Sequence, residues 1–246
     1  ILPGVLAPGN ATALHPAEVL RAPGGQHILG TDNYGRSVYR DLVYGARRAV
    51  EIGVISVVIS GVVGGVIGCI AGYLGRYVDT ALMRVIDVLM CFPGVLLALI
   101  IAAALGSNLT NEIVAVGIAQ IPAFARVMRG QVLSVKNRLY VDAAIASGLQ
   151  RRRIVMRHIL PNAMAPVVVL STVSVGVSIV LGASLSFLGL GPNSGVPDWG
   201  QLLSNGEAYL STAWWIATFP GIALTVVVIS INLLGDWLRD RLDVAS

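Results

Sequence analysis

Five stretches of the chain are apolar for about twenty residues or more on end, and polar segments separate them. They run over residues 50–74, 85–105, 113–132, 163–188 and 214–237. A helix needs ~20 mostly apolar residues to cross a hydrocarbon core, so each stretch predicts one span. Within the first, Gly61, Gly64, Gly65 and Gly68 follow a spacing of small residues that predicts close helix packing. Pro93, Pro122, Pro166 and Pro220 fall within or at the edges of spans and predict kinks. Trp214, Trp215 and Trp237 stand at the two ends of the last span, where tryptophans serve as interfacial anchors.

Outside the spans the pattern changes. Residues 30–35, Gly-Thr-Asp-Asn-Tyr-Gly, read as turns. Residues 37–49 then put Val38, Leu42, Ala46 and Ala49 on one stripe with arginines elsewhere, which predicts an amphipathic helix lying at the interface. Residues 191–210 form a long, glycine-rich polar loop with a short helix from Asp198; it reads as a lid, a docking surface or a connector.

Composition agrees with the spans. Hydrophobic residues make up 55% of the chain and charged residues 12%, with a mean hydropathy of +0.78. Soluble domains carry roughly 25% charge. The fold class is therefore all-α, a polytopic transmembrane helical bundle. The net charge of +4 would point to nucleic acid in a soluble protein; here basic cytoplasmic loops explain it, and no nucleic-acid partner is expected. Cys69 and Cys91 both lie in apolar runs without metal or disulfide spacing and read as buried free thiols.

Orientation follows from Lys and Arg. Residues 126–157 hold eight of the 17, while residues 106–112 and 189–213 hold none. Putting the basic segment in the cytoplasm places both loops without Lys or Arg outside, and the short turn 75–84 and the C-terminus inside. Parity then puts residues 1–49 outside with Arg21, Arg36, Arg40, Arg47 and Arg48, against the rule: 12 basic residues inside, five outside.

Several chemistries lack their residues. The spans carry charge only near their ends, at Glu51, Asp87, Arg126, Arg129 and Asp236, which argues against a proton relay. Their middles hold Gln120, Ser174, Ser178 and Asn232, candidates for lining a pathway that serve equally for helix packing or interhelical hydrogen bonds. No Gly-Lys-Ser/Thr loop exists, since the single lysine, Lys136, follows Val135. His15, His27 and His158 are scattered, without zinc spacing or a nucleophile partner. An uphill transporter of this composition takes its energy from another chain.

That leaves residues 140–162, "YVDAAIASGLQRRRIVMRHILPN". Asp142 suits the first turn of a short helix through the macrodipole, and Gly148 can end it. Residues 150–159 predict a second helix with clustered arginines, and Pro161 suits the first turn of the span that follows. A basic loop that merely fixes topology is one reading.

The other comes from resemblance. Asp142, Ala143, Ala144, Gly148, Leu160 and Pro161 resemble the Glu-Ala-Ala loop of permease subunits in bacterial ATP-binding-cassette importers, with Asp for Glu and His158 at a usual Ile position. The stretches "HILGTDNYGRSVYRDLVYGARR", "AGYLGRYVDTALMRVIDVLMCFPGVLLAL", "SLSFLGLG", "PDWGQLL" and "AWWIATFPGIALTVVVISINLLGDWLRDRLD" resemble the second permease of the dipeptide, oligopeptide and nickel branch; Ser37 stands where Asp is usual. The resemblance implies a type I importer permease fold and a multi-pass protein of the bacterial cytoplasmic membrane. It divides the chain into residues 1–49, extracytoplasmic, and 50–246, a permease domain with its coupling loop at about 136–160. Members of this type have six spans, so residues 1–8, "ILPGVLAP", are expected to be the tail of a preceding one. The implied partners are a homologous second permease, two ATPase subunits that bind ATP and Mg, an extracytoplasmic solute-binding protein and membrane lipid. No cofactor is expected on this chain, which is not expected to be an enzyme. Asp142, Ala143, Ala144, Gly148, Leu160 and Pro161 would couple to the ATPase. The implied cargo is a peptide, with nickel or another small solute as the alternative. An ion-coupled carrier and a membrane enzyme are the readings from other classes.

Overall fold

The computed structural model describes residues 3–7, 13–192 and 195–243. The expected tail of a preceding span lies partly outside them; within it, Pro3–Leu6 is one helical turn, α1. The remaining helices are α2 (Val38–Leu74), α3 (Arg76–Met90), α4 (Gly94–Leu105), α5 (Leu109–Lys136), α6 (Leu139–Ala146), α7 (Arg151–Ile154), α8 (Leu160–Phe187), α9 (Trp199–Glu207) and α10 (Trp215–Asp243). Four helical stretches are long and apolar enough to cross a membrane, and α3 with α4 makes a fifth if counted as one broken span.

The first two spans differ in detail from the sequence reading. The amphipathic stretch 37–49 is no separate element: α2 runs 37 residues without a break, because nothing between Val38 and Leu74 stops a helix. The expected turn at 75–84 is helical too; Gly75, at φ +66°, makes the only break before α3. Pro93 does more than kink the second span, since α3 and α4 meet at 92° across Cys91–Pro93. Cys91 is consequently exposed at the bend, not buried, while Cys69 is half-buried.

The bundle is organised around α2 and α5, which pack along most of their length. Gly64, Gly68 and Gly72 provide the approach. A Cβ at Gly64 would fall 2.7 Å from the Ile121 carbonyl oxygen, and one at Gly72 would fall 3.0 Å from that of Arg129. Gly61 is looser, with 3.7 Å to the nearest atom of Phe124. Phe124, Met128 and Val132 fill the seam from the α5 side and are almost fully buried.

The two loops without Lys or Arg gather at one end with residues 13–37, as the parity argument requires. There Val38, Ala213, Trp215 and Ile216 form a small core with Leu20 and Leu29 against it. Trp215 is therefore no lipid anchor. It is 6% exposed, and its indole N–H donates to the Thr31 carbonyl at 3.0 Å. Trp214 and Trp237 are exposed, as interfacial anchors must be. The α9 loop also closes onto the bundle, through buried Trp199 and Leu202.

Two of the five misplaced arginines of this end, Arg36 and Arg47, are matched by carboxylates. Arg36 Nε reaches Asp32 at 2.8 Å and Asp41 at 3.8 Å, and Arg47 Nε reaches Glu51 at 2.8 Å. The local breach of the positive-inside rule is thus partly neutralised within the chain.

Candidate functional site

The opposite end holds the basic segment, built on a second core. Val132 and Val135 of α5, Val141 and Ala144 of α6, Ile154 and Ile159 meet there, with Ala163 and Val167 of α8. This core seats α6 against the bundle. α6 is an eight-residue helix with Arg138 at its N-cap and Asp142 in its first turns, where a negative charge complements the helix dipole.

Its other end is closed by Gly148, at φ +74°. The Gly148 N–H donates to the Ile145 carbonyl at 3.0 Å, and the Leu149 N–H to the Ala144 carbonyl at 3.3 Å. That pair of bonds is the Schellman motif, and Leu149 packs on the core that contains Ala144, supplying its apolar contact. The left-handed backbone at Gly148 is costly for any residue with a Cβ. The sequence prediction that Gly148 ends a short helix holds.

The two alanines face opposite ways. Ala144 is 7% exposed and turned into the core, so its small side chain lets α6 lie close on its own bundle. Ala143 and Asp142 are exposed, beside Leu139, Tyr140 and Ile145, of which Leu139 is 86% exposed. The outer face of α6 is therefore largely apolar, with one carboxylate.

Leu160 and Pro161 sit differently from the sequence reading. Residues 151–187 are one continuous helical stretch with a π turn at Val155–Ile159, not a helix and then a separate span. Proline lacks an N–H and its ring crowds the carbonyl four residues back, here that of Arg157. The π turn sits over that carbonyl, and the Leu160 N–H bonds five residues back to Val155. Leu160 is half-buried and Pro161 exposed.

Two ion pairs brace the neighbouring α3. Arg129 grips Asp79 through two nitrogens, at 2.5 and 2.6 Å, and Arg126 meets Asp87 at 2.7 Å. Lys136 Nζ donates to the Tyr73 carbonyl at 2.7 Å, tying the end of α5 to the end of α2.

Of the four polar residues of the span middles, the structure brings Gln120 and Ser178 together. Gln120 Nε2 donates to Ser178 Oγ, joining α5 to α8. Ser174 is buried on α8. Asn232 lies on α10, half-buried, with an Oδ1 that has no hydrogen-bond partner, beside Gly176.

Residues 64–245 match the family described as binding-protein-dependent transport system inner membrane component. The chain belongs to this family. It is 38% identical to the dipeptide transport system permease protein DppC of Alkalihalophilus pseudofirmus, over 97% of this chain and 79% of that one. It is 45% identical to the glutathione transport system permease protein GsiD of Shigella flexneri, over 90% of this chain and 73% of that one. Among solved structures, an inward-facing MetNI methionine ABC transporter chain superposes with a TM-score of 0.67 at 18% identity, covering 82% of this chain and 95% of that one. An amino acid ABC transporter chain gives 0.65 at 15%, covering 82% and 94%. The fold is that of importer permeases, and the protein is a multi-pass component of the bacterial inner membrane.

Sequence reasoning missed the buried polar groups of the other end. Asp32, Asp41, Arg48, Glu112, Ser186 and Asp198 are all less than one-tenth exposed. Their contacts join residues as far apart as Arg48 and Val196, so no local spacing announces them.

Proposed function

We propose that this permease forms half of the translocation pathway of an ATP-driven importer for peptides, and receives the work of ATP through α6. The peptide cargo rests on the relatives named for dipeptide and glutathione transport. The observation that supports the coupling role is the outward face of α6. A helix of eight residues fixed at both ends offers Asp142, Ala143 and Ile145 to the cytoplasm. Short isolated helices are marginal in water, so this one depends on its seat and its turn. Rigid attachment lets a push on α6 travel into α5 and α8 as a rigid-body displacement.

In this reading a homologous permease supplies the other half of the pathway, and two ATPase subunits carry the ATP and Mg. A solute-binding protein delivers cargo at the end formed by residues 13–37 and α9. The chain itself performs no catalysis and holds no cofactor. Asp142 and Ala143 contact the ATPase; Ala144 and Gly148 hold α6 in place; Leu160 and Pro161, next to the π turn, join the segment to α8.

The test is Gly148→Val. Forcing a β-branched side chain into left-handed backbone costs about 1–2 kcal/mol and opens the turn. Peptide uptake by the assembled transporter should fall at least tenfold while the protein still inserts in the membrane. Uptake at the wild-type rate would remove α6 from the mechanism.

A further inference from the structure

At the extracytoplasmic end, two carboxyls from distant parts of the chain meet at one serine. We propose that Glu112 and Asp198 hold a single proton between them, across the Ser186 hydroxyl, and that this proton latches the start of α9 onto the ends of α5 and α8. The inference goes beyond the importer reading, since it concerns how the outer face opens.

Charge and burial carry the argument. Glu112 is 1% exposed, Asp198 4% and Ser186 3%. The opposing charge felt by both carboxyls is Arg48 of α2, itself 8% exposed, whose NH1 donates to the Val196 carbonyl at 3.1 Å. Two ionised carboxyls against one guanidinium would leave a net buried negative charge, which a water-poor site does not sustain. One proton on the pair removes it.

The hydrogen bonds agree. Ser186 donates its one hydrogen to Glu112 Oε1 at 3.0 Å, and Glu112 Oε2 is buried with no partner. Asp198 Oδ1 accepts the N–H groups of Gly200 and Gln201 at 2.8 and 3.3 Å as the N-cap of α9. The groups facing Glu112 are thus Arg48 from α2, Ser186 from α8 and Asp198 at the start of α9. Burial pushes the Asp198 carboxyl above the ordinary carboxylate range, against the restraint of those N–H bonds.

Gly191 and the first turn of α9 close tightly over this point. A Cβ at Gly200 or at Gly191 would fall 2.8 Å from side-chain Cβ of Ser186. Asp198 and Gln201 border a wider opening of about 420 Å³ that Arg36 also lines, and beneath it lies a cavity of about 30 Å³ lined by Ser186, Gly189, Gly191, Pro192, Asp198 and Gln201. That is room for a single water, enough to carry the proton in or out.

The sign follows from the raised value. A carboxyl whose affinity for a proton rises on seating stabilises the seated form fully below the ordinary carboxylate range. That stabilisation is lost as the pH climbs through the raised value. Acid closes the latch and base releases it.

Hydrogen exchange by mass spectrometry on the assembled transporter in nanodiscs reads this directly, between pH ~5 and ~9 and corrected for intrinsic rates. Protection of the α9 amides should be high at the acid end, then fall about tenfold per pH unit once the proton is released. Glu112→Gln keeps the shape without the titration and should flatten the profile, as should Asp198→Asn, which retains a capping oxygen. A flat wild-type profile would overturn the latch, and so would a wild-type slope that persists in either variant. The readout involves neither uptake nor ATP, so its failure leaves the importer reading standing.

Discussion

Arg129 decides where α3 lies. The helix buries only Ile86, against Ile121 and Ala125 of α5, so its apolar anchorage is slight. The remaining hold is the two-nitrogen grip on Asp79 and the exposed Arg126–Asp87 pair. Exposed pairs are worth little, but a planar guanidinium matched to a carboxylate is more specific than a lone ammonium. Arg129→Lys should therefore loosen α3 selectively, raising amide exchange there several-fold at a cost of under ~1 kcal/mol to the whole protein. A double-mutant cycle with Asp79→Asn measures the coupling; additive effects would show that the pair does not place the helix. At this scale the sequence was informative wherever function rests on neighbours in the chain. Gly148 announced its turn because a glycine after an eight-residue helix has few other uses. The Glu112–Ser186 contact, across 74 positions, announced nothing.

Elements were legible to the degree that one physical property defines them. Hydropathy marks every span, because lipid tolerates little else. It says nothing of where a helix begins in water, and so α2 starts twelve residues before its apolar stretch. α3 was hidden for the same reason. Its Arg76, Asp79 and Arg84 read as a polar turn, yet they belong to an amphipathic helix that stops at the Pro93 bend, with Arg76 and Arg84 exposed and Asp79 turned to Arg129 of α5. Glycine spacing predicted close packing, and the α2–α5 seam bears it out with a sharper register, Gly64, Gly68 and Gly72. Gly68→Val should destabilise the bundle by about 1–3 kcal/mol, since its Cβ would stand 2.9 Å from Arg129 N with no flexible neighbour to yield. Gly130, on the same α5, has open space around its Cβ position, and Gly130→Ala should be neutral or stabilising by up to ~1 kcal/mol. Thermal unfolding in detergent compares the two; equal effects would mean the seam is not close-packed.

The whole molecule has two unlike ends. One is a polar cap in which loops, buried acids and arginines knit together; the other is a single core under a short outward-facing helix. Between them α10 turns Ile222, Val226, Ile229, Leu233 and Trp237 outward, a face suited to lipid or a second permease. In the proposed mechanism, work received by α6 would pass through the core of Val132, Val135 and Ala163 into α5 and α8, whose far ends meet at the Ser186–Glu112 contact. The account stands or falls on whether an ATPase grips α6. A photo-crosslinking residue at Ile145, which is 55% exposed on the outer face of α6, tests that directly in membranes containing the assembled transporter. The predicted result is an adduct with the ATPase subunit whose yield changes when ATP is added. Adducts with lipid alone, or a yield no higher than from a crosslinker at Glu207 on the opposite end, would contradict it.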